Sequence, residues 1–262
     1  MGPLIEEIKN KKELKSLNSD FVGSITKELL EGKKINIDKK SERKKIIKEV
    51  RSILHAVYGV FKKSKYTKKE KLLKDISSLK DTAGHNKILE LHRSTKERLE
   101  YYPSVYEKIF AITGKPKSIL DLGCGLNPLS YPYMRLKTEY YATELTEEDS
   151  KFIQSYFDKL KIKGKAYSLD LTRINTLPPA DVCFLFKLLD TLETLKRDIT
   201  KTIFEQLQTK WVVASFPLKT IGGRKNISKR RLVWFEKIIK DCKYETFEIP
   251  NEVFYVIKLA SK

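Results

Sequence analysis

Asp121-Leu122-Gly123-Cys124-Gly125-Leu126-Asn127-Pro128-Leu129 follows the apolar pair Ile119-Leu120. It places a carboxylate and two glycines where an apolar strand turns into a new element. That junction is where open α/β sheets bind nucleotide-like ligands. Gly123 and Gly125 let the backbone come close to a ligand, because a side chain at either position would obstruct it. Two further carboxylates close later apolar runs. Glu144 follows Glu139-Tyr140-Tyr141-Ala142-Thr143, and Asp170 follows Tyr167-Ser168-Leu169.

A dinucleotide site would need the full G-x-G-x-x-G, whose third glycine packs the helix and frees its N-terminus for a pyrophosphate. Here that position is Pro128. The form D-x-G-x-G, with an acid ending the next strand, resembles motif I of the S-adenosylmethionine-dependent methyltransferases. On that resemblance Glu144 accepts both ribose hydroxyls through charge-assisted hydrogen bonds. Asp170 accepts from the adenine amino group, and Leu171 offers its backbone N–H to the ring. Both acids have a plainer alternative. Glu144 can be stabilised by the dipole of a helix starting at Thr146, and Asp170 can cap the segment after it.

The residues after the fourth strand, Phe186-Lys187-Leu188-Leu189-Asp190, bear on the methyl acceptor. Enzymes that methylate exocyclic amines of bases place D/N-P-P-Y/F there, and this chain does not. Methylation at pyrimidine C5 needs a cysteine nucleophile nearby, but Cys183 falls inside the strand and points to the core. An acceptor with its own lone pair, such as guanine N7, needs no base. Catalysis then reduces largely to proximity and orientation. After the fifth strand, Phe216-Pro217-Leu218-Lys219-Thr220-Ile221-Gly222-Gly223-Arg224-Lys225-Asn226 reads as a cationic loop beside the methyl donor, or as a plain surface loop.

Alternating elements are needed to hold these residues. Strands are expected near 118–123, 139–144, 165–169, 181–186 and 211–216, with helices near 128–134, 146–161, 190–208 and 228–241. Tyr244–Ile249 and Val253–Leu259, joined by Pro250-Asn251-Glu252, read as a closing hairpin. The pattern matches an α/β doubly wound sheet, and its C-terminal antiparallel hairpin resembles that of the class I methyltransferase (Rossmann-like) fold. The region before it reads as helices: Leu4–Leu17; a second capped by Ser19 or Asp20 and ending near Gly32; and a long one capped by Asp38. The long helix has an apolar stripe of Ile46, Ile47, Val50, Ile53, Leu54, Val57 and Phe61. Thr67-Lys68-Lys69-Glu70 reads as a capping box for a fourth helix, and His55 as a packed residue of the stripe. Pro103 and Gly114 bound a further helix. The expected division is a helical basic RNA-binding domain over 1–80, a connector over 81–102 and a methyltransferase domain over 103–262.

Among the 262 residues the net charge is +19, and it is uneven. Residues 1–117 hold 29 Lys and Arg against 16 Asp and Glu, while residues 118–262 hold 24 against 18. A basic surface of this kind binds a polyanion by releasing counterions, or is simply a solvated lysine-rich face. Cys124, Cys183 and Cys242 form no C-x-x-C pair, so neither a zinc site nor a disulfide framework is indicated. They read as reduced core thiols, and no metal is expected. No apolar run approaches the roughly 20 residues that span a bilayer, nor is a signal peptide apparent. A cytoplasmic monomer is expected.

Three segments together carry a more specific resemblance: His92-x-Ser94-Thr95-x-Glu97-Arg98, Asp121-Leu-Gly-Cys-Gly-Leu-Asn127-Pro128 and Phe216-Pro217-x-Lys219-x-x-Gly222-Gly223-Arg224. They resemble the aminoglycoside-resistance 16S ribosomal RNA methyltransferases of the Arm/Rmt/Sgm type, from about residue 45 onward. The resemblance implies a helical domain that binds ribosomal RNA, a class I catalytic domain, and methylation of guanine N7 in the decoding site of the small subunit, conferring resistance. It implies S-adenosylmethionine as cofactor, with Arg98 pairing with the methionine carboxylate. Asp121, Gly123, Gly125 and Asn127 line the pocket, while Glu144, Asp170 and Leu171 hold the nucleoside. Lys187, Ser215, Lys219 and Arg224 lie near the target nucleotide. Alternatives are a methyltransferase acting on transfer RNA or another RNA site, and a non-catalytic RNA-binding factor on the same fold.

Overall fold

In a computed structural model, which describes residues 1–33, 35–174, 176–220 and 226–260, seven strands form one sheet. They are β1 (Ser118–Asp121), β2 (Glu139–Glu144), β3 (Gly164–Ser168), β4 (Ala180–Phe186), β5 (Thr209–Pro217), β6 (Lys243–Ile249) and β7 (Glu252–Lys258), in the spatial order β3-β2-β1-β4-β5-β7-β6. β1 to β5 are parallel, and β7 pairs antiparallel with both β5 and β6. The chain runs outward from β1 to β3 and then returns to β4 on the other side of β1. The β1/β4 junction is therefore the switch point at which doubly wound sheets bind ligands. Central β4 reads Ala-Asp-Val-Cys-Phe-Leu-Phe and is buried from Val182 onward, as a strand covered on both faces should be. Edge strand β6 carries Lys243, Glu245 and Glu248 and is mostly exposed, which discourages pairing with another sheet.

Two apolar clusters cover the two faces of the sheet, and a third lies in the N-terminal helices. In the third, helices Gly2–Lys9, Ser19–Lys33 and Lys40–Val57 pack around Leu4, Ile8, Phe21, Val22, Ile46, Val50 and Leu54. Leu145 and Leu195 from the sheet region pack against the same cluster. Tyr66, Leu73 and Ile76, which fall within the 1–80 division, pack instead in the cluster containing Tyr102, Tyr106 and Tyr140 of the sheet side.

Several local features differ from expectation. Leu4–Leu17 is broken at Asn10, and only Gly2–Lys9 is α-helical. Asn18, not Ser19 or Asp20, caps the second helix, accepting from the Asp20 and Phe21 backbone N–H groups. The long helix begins at Lys40 without a side-chain cap from Asp38 and ends at Val57, with a separate 3₁₀ turn holding Phe61. The Thr67–Glu70 capping box does not form: Tyr66–Lys68 is a 3₁₀ turn, and Lys69 is drawn inward to Asp149. His55 is exposed, because it stands one position past the buried Leu54. The span 190–208 is two helices, Leu189–Leu195 and Ile199–Gln206, separated by a left-handed Asp198 (φ 61°). Tyr102–Thr113 ends at Gly114 with φ 76°, as its glycine anticipated.

Candidate active site

β1 delivers Asp121 to the carboxyl end of the sheet, and the chain then turns through Gly123 (φ 57°) and Gly125 (φ 56°). Both glycines are closely covered. A Cβ at Gly123 would stand 2.6 Å from Leu188 Cδ1, and one at Gly125 would stand 3.0 Å from the His92 ring. This turn forms one side of a crevice of about 990 Å³, counted out to its open mouth. Of the residues singled out from the sequence, Arg98, Gly123, Gly125 and Asn127 line it together with Glu144, Asp170, Leu171 and Lys187.

Three expected members stand back from the crevice. Asp121 lies behind the turn, where its Oδ2 accepts from Tyr140 (2.6 Å) and from Asn127 Nδ2 (2.8 Å). Its Oδ1 is buried with no partner, and burial pushes its carboxyl up to about 6 against those two hydrogen bonds. Ser215 is buried beneath the floor, donating to Glu252 at 2.5 Å and accepting the Lys187 backbone N–H at 3.1 Å. Lys219 is half-buried beyond the end of β5, bridged to Asn226. Arg224 and the Gly222-Gly223 pair lie outside the described residues.

Glu144, at the end of β2, accepts the backbone N–H groups of Gly125 (2.5 Å) and Leu145 (3.0 Å). Burial first, then the charge of Asp149, pushes its carboxyl up to about 7 against those bonds and Lys62. It is not the first-turn acid of the next helix; Thr146 caps that helix by accepting from Asp149 N–H. Asp170 does form the cap anticipated as its plainer role, accepting the Thr172 N–H (2.9 Å) and hydroxyl (2.6 Å), and it faces the crevice as well.

Two buried acids of the site escape a reading of the sequence. Glu252 reads there as a turn residue, but it opens β7 and is fully buried. Its carboxylate takes Arg98 Nη2 at 2.7 Å and Nε at 3.2 Å, and lies 3.3 Å from Lys187 Nζ. Burial opposes its ionisation, but Arg98 and Lys187 more than offset that and hold it below the usual carboxylate range. Arg98 Nη1 donates to Asn127 Oδ1 (3.2 Å), and Lys187, in the left-handed region (φ 53°), also pairs with Glu97 at 2.7 Å. The second missed acid is Asp149. It accepts from Tyr58 and Tyr66, each at 2.8 Å, and pairs with Lys62 (2.8 Å) and Lys69 (2.5 Å). Burial again opposes ionisation, and the two lysines hold its carboxyl well below the usual range. The only sequence signal is the position of each acid near an element's start, which is shared with many exposed carboxylates.

The crevice fits a nucleoside joined to an amino acid. One carboxylate closes β2 and another follows β3, apolar Leu169, Leu171 and Leu188 line the crevice, and so does the buried Arg98 guanidinium. His92 lines it too, with its Nδ1 buried and unpartnered and its ring stacked on Phe61 at 5.7 Å. Burial, reinforced by Lys62, Arg98 and Lys187, pushes its imidazole down to about 3 against the charge of Asp149, so the ring is neutral. No group of three or more metal-ligating side chains occurs among the described residues. No helix among them is long and apolar enough to cross a membrane.

Comparison with known proteins agrees with this geometry. The family model described as "Ribosomal RNA methyltransferase (FmrO)" matches residues 27–241. A 16S rRNA (guanine(1405)-N(7))-methyltransferase of Micromonospora echinospora is 30% identical over 224 residues, covering 81% of this chain and 82% of its own. One of the same name from Proteus mirabilis is 30% identical over 239 residues, covering 82% and 84%. Among solved structures, the 16S rRNA methyltransferase RmtF in complex with S-adenosyl-L-homocysteine shares the fold, with a TM-score of 0.85 at 24% identity over 99% of this chain and 98% of that one. The 16S rRNA methylase ArmA aligns with a TM-score of 0.58 at 28% identity, covering 72% and 97%. The chain belongs to the FmrO family of ribosomal RNA methyltransferases.

Proposed function

We propose that the protein transfers a methyl group from S-adenosylmethionine to N7 of a guanine in the decoding site of 16S ribosomal RNA, within the small ribosomal subunit, and thereby confers aminoglycoside resistance. The observation that carries the reading is the crevice at the β1/β4 switch point, where Glu144, Asp170 and Arg98 converge on the glycine turn. The names of the relatives supply the acceptor atom.

The cofactor supplies an electrophilic methyl on a sulfonium. Glu144 accepts the ribose hydroxyls with the lone pairs left free by Gly125 and Leu145, and Asp170 accepts from the adenine amine. Arg98, held by Glu252 and Asn127, is the cation for the methionine carboxylate. Lys187 has three donors, two of them turned to Glu97 and Glu252; the third serves an acceptor on the target base. Ser215 fixes the Lys187 backbone from below. Lys219 and Arg224 follow β5 and serve the RNA side. Guanine N7 brings its own lone pair, so no side chain has to remove a proton before attack. Alignment supplies most of the acceleration.

The helical region, with its excess of Lys and Arg, supplies phosphate contacts that position the enzyme without reading sequence. N7 methylation removes an acceptor and adds a positive charge to the base. A cationic drug bound there is deprived of a hydrogen-bond acceptor and meets a repulsion. Expression in a susceptible bacterium tests this: aminoglycoside resistance that disappears with Glu144→Ala supports the reading, and unchanged susceptibility with the folded parent chain rejects it.

A further inference from the structure

Lys187 stands between two carboxylates that differ in what else they hold. Its ammonium lies 3.3 Å from Glu252 Oε2 and 2.7 Å from Glu97 Oε2. Glu252 is fully buried and already takes two nitrogens of Arg98 and the Ser215 hydroxyl. The Glu97 side chain is 36% exposed, and among the described residues Lys187 is the one side chain that meets its carboxylate, leaving Oε1 open. Lys187 lines the crevice; Glu97 does not, and is the more exposed of the pair. The left-handed backbone of Lys187 (φ 53°) is strained for a residue with a Cβ, and such positions cluster at functional sites.

The helix that carries Glu97, Arg93–Arg98, reads Arg-Ser-Thr-Lys-Glu-Arg. Arg93 and Lys96 are exposed, and Glu97 is the single acid. On a surface that meets phosphates, a carboxylate with an open oxygen works against binding unless it meets a donor. An ammonium beside a carboxylate presents a donor next to an acceptor. The Watson–Crick edge of guanine is the complement, the O6 acceptor next to the N1–H and N2 amine donors. Adenine presents the reverse, an N6 amine donor next to a bare N1. O6 also adjoins N7 on the major-groove edge of guanine, so one orientation of the base brings O6 to a cation and N7 to the methyl. We propose that Glu97 is a specificity-determining residue, accepting from N1–H and the N2 amine of the target guanine while Lys187 donates to O6. This rests on the reaction at guanine N7 and the place of Lys187 proposed above.

The N7 lone pair forms the bond to the methyl carbon as the C–S pair returns to sulfur, and no proton leaves the base. The ring gains a positive charge, so a carboxylate at N1–H is held more tightly in the transition state than before it. The effect of Glu97 therefore falls on kcat as well as on the choice of base. In Glu97→Gln, the side-chain oxygen remains an acceptor for Lys187, and the amide NH2 is turned toward a base edge that offers only donors.

The test is single-turnover methyl transfer from labelled S-adenosylmethionine to small subunits reconstituted with 16S RNA carrying guanosine or inosine at the modified position. Inosine keeps N7, O6 and N1–H and lacks the N2 amine. The parent should methylate guanosine about 10- to 150-fold faster than inosine, the range for a hydrogen bond to a charged group. Glu97→Gln should be slower on guanosine by at least about tenfold and prefer it over inosine by less than about threefold, because the side chain and the amine act as a coupled pair. Its Kd for S-adenosylhomocysteine should stay within about twofold of the parent, since a lost charged hydrogen bond would cost more. A parent that handles guanosine and inosine alike would overturn the proposal whatever the variant does. So would a Glu97→Gln protein that keeps the parental preference at a lower rate, as expected of a residue that only steadies Lys187, or one that loses affinity for S-adenosylhomocysteine. A parent that leaves N7 of guanosine unmodified would overturn the assigned reaction together with it.

Discussion

The Arg98 guanidinium and the Glu252 carboxylate meet in a two-point ion pair, Nη2 to Oε1 at 2.7 Å and Nε to Oε2 at 3.2 Å, across 154 positions of sequence. Both side chains are buried, and Lys187 and Ser215 close on the same carboxylate. One acid thus holds two cations that line the crevice, Arg98 and Lys187.

Removing that acid leaves two buried cations short of a partner. Glu252→Ala should lower stability by about 3–5 kcal/mol, the cost of breaking a buried pair from one side. Glu252→Gln keeps the shape and should cost less, but it should still depress methyl transfer. Urea unfolding and a labelled-methyl assay on both variants check this; a Glu252→Ala protein of parental stability would contradict the pairing.

Asp149 gives a pH prediction whose sign follows from its depressed titration. A carboxylate held below its unfolded value contributes stability that is fully present above that value, about 3.9, and is lost as pH falls through the folded one. Asp149→Asn strands Lys62 and Lys69 and should cost about 3–5 kcal/mol at pH 7. Because the Asp149 charge also raises Glu144, the gap to the parent should not shrink as pH falls from 8 to 5, and it should narrow only below about pH 4. Urea melts across that range would expose the error if the gap closed near pH 6.

Asp170 combines a cap with a place on the crevice wall. Asp170→Ala should weaken S-adenosylhomocysteine binding by about 1–3 kcal/mol for a lost acceptor. Isothermal titration is the measurement, and an unchanged Kd would remove Asp170 from the nucleoside site.

Lys11, Lys44, Lys48 and Arg51 border one surface depression on the helical unit, with Glu7 the lone acid among its lining residues. Replacing the three lysines with glutamine should reduce the salt slope of small-subunit binding by roughly 0.7–0.9 for each phosphate no longer neutralised. Affinity for S-adenosylhomocysteine should not move. Equal loss of both would indicate misfolding.

The sheet is legible from sequence wherever a buried strand meets a turn residue. The Asp121–Gly125 turn, the acids ending β2 and following β3, and the closing hairpin all carry local signals, and the strands lie within a few residues of their expected places. What stays hidden depends on contacts between distant segments. Glu252 looks like a turn residue until β7 pairs with β5 and turns it toward Arg98. Lys69 looks like part of a capping box until Asp149, 80 positions away, draws it into the interior. His55 looks packed because a stripe drawn by spacing is wider than the face the neighbouring helices cover.

The most direct test is nucleoside mass spectrometry of 16S RNA from small subunits incubated with the purified protein and S-adenosylmethionine. The expected product is 7-methylguanosine at a single decoding-site position, absent when Glu144→Ala replaces the parent. Methyl groups found on adenine, on an exocyclic amine or on ribosomal protein, with guanine N7 unmodified, would refute the assigned reaction.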